Sequence, residues 1–464
     1  VRAGLLAPLL LSAALAACGT GLYDAAGLPP VEPGGLTCDA GQVVCASVCT
    51  AEDATHCGAG CVECGATLAP PSNGALACLP GGVCGFTCLD GYLKCGDACC
   101  PTTALAAGPA FTCALLADGA AGTVRCWGAN DAGQLGDGTV SPRAVPVTVP
   151  LAGAVAIGAG GHHACAVEAG GAVVCWGANG SGQVTGLTTS VRVPGPAATP
   201  IASGATAVVG GAAHTCALVA GAVRCWGENG AGQLGGTPDA TGAATPVATG
   251  ATDLAAGSNH TCAVVAGAVR CWGENALGQL GDGTTAPRSG AVTALASGIV
   301  TVAAGADQTC ASTGVSNGQA IDDAVRCWGD SLGAGFLFAS PQPSPRIPRR
   351  SDGSQSTVRY EVTRLAVGRK HACVEKKVEA VECFGADPAS GQLGGTPLDP
   401  GAAVGVPLPV TAPAIVALAA GADHACAALG DGRLRCWGAN ADGQLGDGTT
   451  ASPGIGVIVV PSGR

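Results

Sequence analysis

The sequence predicts an all-β chain: a seven-bladed β-propeller preceded by a small disulfide-rich module. Three observations carry the prediction. A Cys-Trp-Gly signature or its equivalent recurs seven times, at Trp127, Trp176, Trp226, Trp272, Trp328, Phe384 and Trp437. Between these signatures, short apolar segments alternate with glycine-rich turns, the pattern of about four short antiparallel strands per copy. The 27 cysteines fall into a dense cluster before residue 101 and regular pairs after it. A small sheet cannot bury both its faces alone, and a radial array of such sheets solves that problem.

Composition sets the terms for the core. Of 464 residues, 77 are Gly, 3% are aromatic and none is Met. The interior must come from Ala, Val and Leu, with six Trp as rare anchors. Only 11% of residues are charged, yet mean hydropathy is +0.40, so the chain is no disordered polyelectrolyte. A net charge of −11 excludes nucleic acid, whose phosphates repel an acidic surface. Abundant cysteine calls for an oxidising compartment.

The first eighteen residues, VRAGLLAPLLLSAALAAC, join one Arg to an apolar run too short to span a bilayer as a helix. They read as a signal peptide over 1–17. The ending Leu15-Ala16-Ala17-Cys18 resembles the lipobox of bacterial lipoproteins. That resemblance implies cleavage before Cys18, lipidation of Cys18 and a stable multi-chain anchor. Gly19 in place of Asp implies sorting to the outer membrane or cell surface of a bacterium. Residues 18–37 form a Pro/Gly-rich tether. Residues 38–101 hold twelve cysteines and few core-forming residues, so cross-links must hold them. Six disulfides are expected there, with zinc at Cys61-x-x-Cys64 disfavoured outside the cytosol.

Residues 103–464 carry the repeats. Each copy runs through an Ala-Ala-Gly-like segment, His-x-Cys-Ala, an alternating segment, Cys-Trp-Gly, Gly-Gln-Leu-Gly and a Pro/Val strand. The stretch HTCALVAGAVRCWGENGAGQLGG, His214 to Gly236, and its six relatives resemble the regulator of chromosome condensation repeat family. The resemblance implies a seven-bladed propeller, in agreement with the count of signatures. The family's eukaryotic nuclear member is a guanine-nucleotide exchange factor on chromatin, a role that an exported acidic chain does not inherit. A bacterial inhibitor of β-lactamases shares the propeller, which makes secreted protein binding an analogy.

The cysteine pairs follow from hairpin geometry. With Ala220-Gly221 as the turn, Val219 faces Ala222, Leu218 faces Val223 and Cys216 faces Cys225. This is a non-hydrogen-bonded pair, whose Cα atoms approach to about 4.5 Å, within disulfide reach. Cys262 and Cys271 repeat the arrangement. The pairs Cys165/Cys175, Cys373/Cys383 and Cys426/Cys436 fit with one more residue, and Cys113/Cys126 and Cys310/Cys327 with longer loops. A His214–Cys216–Cys225 zinc site is the rival. Phe111 and Gln308 replace that histidine in two copies that keep both cysteines, so no metal is expected. The histidines at 163, 214, 260, 371 and 424 read as packing residues. Asn130, Asn179, Asn229, Asn275 and Asn440 read as caps of the following turn, and Asp137, Asp282 and Asp447 as turn residues.

Repeats that obey the pattern explain folding, so departures locate function. The fifth copy loses its histidine and Gly-Gln-Leu-Gly and runs into GAGFLFASPQPSPRIPRRSDGSQS. That loop assembles Phe336, Phe338, Arg346, Arg349 and Arg350, residue types that dominate binding hot spots. Nine Lys/Arg against three acids between 346 and 377 predict a basic patch. No catalytic constellation appears, and no cofactor is expected. The reading is a monomeric, lipid-anchored scaffold whose propeller binds a protein or glycan of the cell envelope. A structural envelope role and an enzyme with its site at the propeller mouth are the alternatives. Gly456 to Val460 should close the ring against the first repeat.

Overall fold

The computed structural model describes residues 42–45, 48–51, 72–79, 83–89, 92–95, 98–118, 122–151, 153–188, 190–237, 248–313, 325–330, 342–346, 362–376, 380–386, 390–394, 404–405, 415–452 and 458–459. All of its regular elements are strands. The chain divides into two compact units. One comprises Val1–Leu89 and Asp97–Cys99 with Arg464; the other comprises Asp90–Gly96 and Cys100–Gly463. In the first, Gln42–Cys45 pairs with Val48–Ala51, Gly74–Leu79 pairs with Val83–Cys88, and Cys88 is bridged to Cys99. Cys18, Cys61 and Cys64 lie outside the described residues.

The second unit holds seven antiparallel sheets. They span 102–148, 154–198, 205–227, 251–295, 299–346, 362–405 and 415–459, with four strands in each except the third, where three are described. The inner strand of each is the Ala-Ala-Gly segment, the second is His-x-Cys-Ala and the third ends in Cys-Trp-Gly. Every inner strand carries a bulge at its second residue, for example between Ala205 and Ala207. A bulge bends and twists the strand, which suits the edge that turns about the axis.

The third sheet shows why the sequence folds this way. Val219 pairs with Ala222, Leu218 with Val223 and Cys216 with Cys225. The loop is a two-residue turn with φ of 49° at Ala220 and 77° at Gly221. Two positive φ values match the right-handed twist of the strands. Alternation then sends Cys216, Leu218, Val223 and Cys225 toward the fourth sheet, where they meet Leu254, Ala263 and Trp272. Each Trp is fully buried between sheets, removing about 200 Å² from water, worth about 5 kcal/mol in transfer terms.

Neighbouring sheets are joined by a repeated set of hydrogen bonds. The indole N–H groups of Trp127, Trp176, Trp226, Trp272, Trp328 and Trp437 donate to the carbonyls of Gln444, Gln134, Gln183, Gln233, Gln279 and Gln392 at 2.8–3.1 Å. The same carbonyls at Gln444, Gln183, Gln233 and Gln279 accept from Thr112, Thr215, Thr261 and Thr309. Because those hydroxyls donate to carbonyls, they accept from the Nε2–H of His424, His163, His214 and His260. At the axis, a Cβ placed on Gly108, Gly160, Gly211, Gly257, Gly305, Gly368 or Gly421 would come within 2.0–2.6 Å of the next glycine's carbonyl oxygen. That series closes on itself, since Gly421 meets Gly108.

The ring therefore closes without exchanging a strand, which corrects the expected position of the last segment. Ile458–Val459 pairs with Cys436 and Arg435 in its own sheet, because the first sheet's outer edge is taken by Arg143–Thr148.

Candidate functional site

The inner strands end around a cavity of about 340 Å³ on the axis. Its wall is almost all Ala and Gly backbone, with Ser258 and Arg369 as its polar side chains. Many of its peptide groups are already used: Gly161 N–H donates to Gly211, Ala212 to Ser258, Ser258 to Ala306 and Arg369 to Ala422. Such a chamber offers shape and little chemistry, and the charged side chains stand on its rim.

The rim is built by the two residues after each glycine and the residue after each Cys-Trp-Gly. In the first four sheets the first pair is uncharged or carries a histidine: Pro109-Ala110, Gly161-His162, Ala212-Ala213, Ser258-Asn259. In the last three it is Ala306-Asp307, Arg369-Lys370 and Ala422-Asp423. Arg369 pairs with Asp423 at 2.5 Å, and Lys370 pairs with Asp330. Glu228 and Glu274 spend their carboxylates on backbone N–H groups of Gly230 and of Asn275 and Ala276. Asp307 differs. It is half-buried, its carbonyl accepts from Asp330 N–H at 2.8 Å, and among the described residues its carboxylate meets no hydrogen-bond donor. Burial pushes its pKa up, the charges of Asp330 and Glu274 push it further, and Lys370 opposes them.

The structure places the other predicted residues as follows. The seven pairs Cys113–Cys126, Cys165–Cys175, Cys216–Cys225, Cys262–Cys271, Cys310–Cys327, Cys373–Cys383 and Cys426–Cys436 are disulfides with Cα atoms 4.0–4.1 Å apart. The five histidines are buried. Asn130 accepts from Leu135 N–H and donates to the carbonyls of Thr139 and Ser141. Arg346 pairs through its backbone with Cys327; Phe336, Phe338, Arg349 and Arg350 lie outside the described residues. The basic patch needs correction. Arg364 is bound to Glu375, Arg369 to Asp423 and Lys370 to Asp330, so acids from the same and neighbouring sheets neutralise these three members. Sequence reasoning missed the rim. Its signal was present in the shift from mostly uncharged to charged corner residues between the fourth and fifth copies.

These sheets, joined by tryptophan and threonine hydrogen bonds around an axial cavity, define a β-propeller. Models of the regulator of chromosome condensation (RCC1) repeat match residues 103–134, 154–183, 251–279 and 415–444, and 121–167. The chain carries repeats of this family over those residues. Human WBSCR16 is similar in fold, with TM-score 0.61 and 20% identity over 73% of this chain and 93% of that one. Yeast RCC1 (Prp20), in its complex with Kap60, has TM-score 0.57 and 18% identity over 79% and 85% of the two chains. Prp20p from Saccharomyces cerevisiae, studied for its binding properties to Gsp1p and histones, has TM-score 0.55 and 20% identity over 80% and 87%. No curated protein matches the chain.

Proposed function

We propose that this chain is a protein-binding scaffold, exported and held at a bacterial envelope by lipid on Cys18. Its partner seats on the propeller rim at the fifth and sixth sheets. One observation carries the placement. Asp307, a half-buried carboxylate with no hydrogen-bond donor among the described residues, follows Ala306 on the wall of the axial cavity, in the copy where the repeat pattern breaks. A desolvated carboxylate without a donor is costly, and a partner donor would relieve it. Asp330 immediately precedes the segment with Phe336 and Phe338, so rim and loop are neighbours in sequence. The fold supports the reading, since Prp20p, a propeller of this fold, was studied for binding Gsp1p and histones.

Photo-crosslinkers placed at Ala306 and at Val155, which is exposed at the other end of an inner strand, test the site in envelope extract. Adducts are expected from Ala306 alone and should fall at least about tenfold in Asp307→Asn. Adducts from Val155 alone would place the partner on the opposite rim. Anchoring is tested separately: a clickable palmitate analogue should label the wild type and leave Cys18→Ser unlabelled.

A further inference from the structure

At six of the seven seams the chain runs on from one sheet into the next, and the seam between the seventh and first sheets has no such connection. Thr102 N–H donates to Gly432 O at 3.2 Å there, the bond that Ala205 makes to Gly171 and Ala251 to Gly221 elsewhere. This seam has an additional element. Tyr92, at 9% exposure, donates its hydroxyl hydrogen to Asp431 O at 2.6 Å, on the hairpin of the seventh sheet. Gly432, at φ 92°, is roofed by Pro101 and Tyr92, and a Cβ there would lie 2.3 Å from Pro101 Cβ. Three residues after Tyr92, Cys95 is bridged to Cys100. That bridge lies against the first sheet: the Asp118 carboxylate, on its hairpin, is within 4.8 Å of both sulfurs, and Ala117 N–H donates to Pro101 O.

We infer that Tyr92–Cys95 and Cys100–Pro101 form a strap across this seam, with the Cys95–Cys100 disulfide as a redox-sensitive latch. The bridge fixes one end to the start of the first sheet, and the Tyr92 hydroxyl fixes the other to the seventh. Opening needs a dithiol reductant. Its thiolate attacks one bridge sulfur, giving a mixed disulfide and one cysteine thiol; its second thiol then closes its own disulfide and frees the other cysteine. Two electrons and two protons pass from reductant to Cys95 and Cys100. The latch is a better target than the ring bridges. Each ring cysteine is at most 2% exposed, Cys100 is 5% exposed, and the exposed Asp118 marks an open side. The latch also closes a five-residue separation against 9–17 in the ring, and shorter loops restrain the unfolded chain less.

Hydrogen exchange on the full chain tests this. In Cys95→Ser/Cys100→Ser, exchange of the Thr102 amide and of the 424–438 hairpin should quicken about tenfold or more, while Ala205, at the seam between second and third sheets, stays within about twofold. Wild type in dithiothreitol, with the two-hydrogen mass gain mapped to Cys95 and Cys100, should match the variant. Tyr92→Phe, which keeps the bridge and removes only the hydroxyl, should show the same pattern at smaller size. Equal quickening at Thr102 and Ala205, or none at either, would overturn the strap.

Discussion

The seam between the third and fourth sheets and the seam between the fifth and sixth are built on one plan with different contents. At the first, Trp272 and Thr261 both donate to Gln233 O, His214 donates to Thr261, and Ala251 N–H donates to Gly221 O. At the second, Phe384 stands where the indole belongs, Ala372 where the threonine belongs and Gln308 where the histidine belongs. The losses are matched except at Gln308, whose buried Oε1 has no partner among the described residues. Phe384 has no N–H to place, and the fifth copy has lost the Gly-Gln-Leu-Gly turn that would accept it. Gln308, facing Ala372 instead of a threonine, donates to Gly368 O at 2.7 Å. Phe111 likewise faces Ala164. A seam tolerates losing a hydrogen bond when donor and acceptor leave together, because an unpaired buried group costs more than the bond is worth.

The comparison breaks most readily with pH. His163, His260 and His371 are held near a pKa of about 4, and His214 and His424 near about 3, by burial first. The folded chain then binds fewer protons than the unfolded chain below pH 6.5. Stability is fully present above that value and falls as pH drops toward about 4 and then 3. Each histidine contributes at most about 1.4 kcal/mol per pH unit in that window. Urea midpoints from pH 7.5 to 4 should fall most steeply below pH 6. A flat profile would show that the histidines are reached by water.

Gly211→Ala comes next. The new Cβ would lie 2.6 Å from Gly257 O and 2.1 Å from His214 Cε1. Neither a carbonyl in the ring nor a buried imidazole can yield, so a loss of about 3 kcal/mol is expected in chemical denaturation. A loss under about 1 kcal/mol would mean that the axial ring is compliant. Trp272→Phe should cost less, about 2 kcal/mol, since Thr261 still satisfies Gln233 O. That variant reproduces at an intact seam what Phe384 does at the altered one.

Much of this was legible in sequence because it is local. The register of Cys216 with Cys225 follows from turn length and a period of two, and the Asn130 cap from its five-residue reach to Leu135. What was not legible depends on pairs some 40–60 residues apart. The histidine at 214 could be read as packing, yet its partner, Thr261, lies in the next copy and means nothing until sheets are set side by side. Arg369 and Lys370 within the basic run misled for the same reason, since Asp423 and Asp330, which neutralise them, come from the sheets on either side. The last segment misled because a single missing strand pairing has no local signature.

His371 is where the two seams can be compared at one residue. It is fully buried against Ala425, which has no hydroxyl, and among the described residues neither ring nitrogen reaches a hydrogen-bond partner. Gln308, one sheet earlier, solves half of the same problem: its Nε2 reaches the glycine carbonyl of the next sheet, while its Oε1 finds no partner among the described residues. His371→Gln should therefore let Nε2 donate to Gly421 O, a gain of about 0.5–1 kcal/mol at pH 7.5. The gain should grow toward pH 4, since one proton uptake on unfolding is removed and the neighbouring Asp423 charge only partly favours the imidazolium. His260→Gln is the control, because it gives up the bond to Thr309 at 2.8 Å and should lose about 1 kcal/mol at pH 7.5. If both variants lose stability equally, the partner in the next sheet does not decide which residue the seam accepts, and the matched-loss account of the fifth and sixth sheets fails with it.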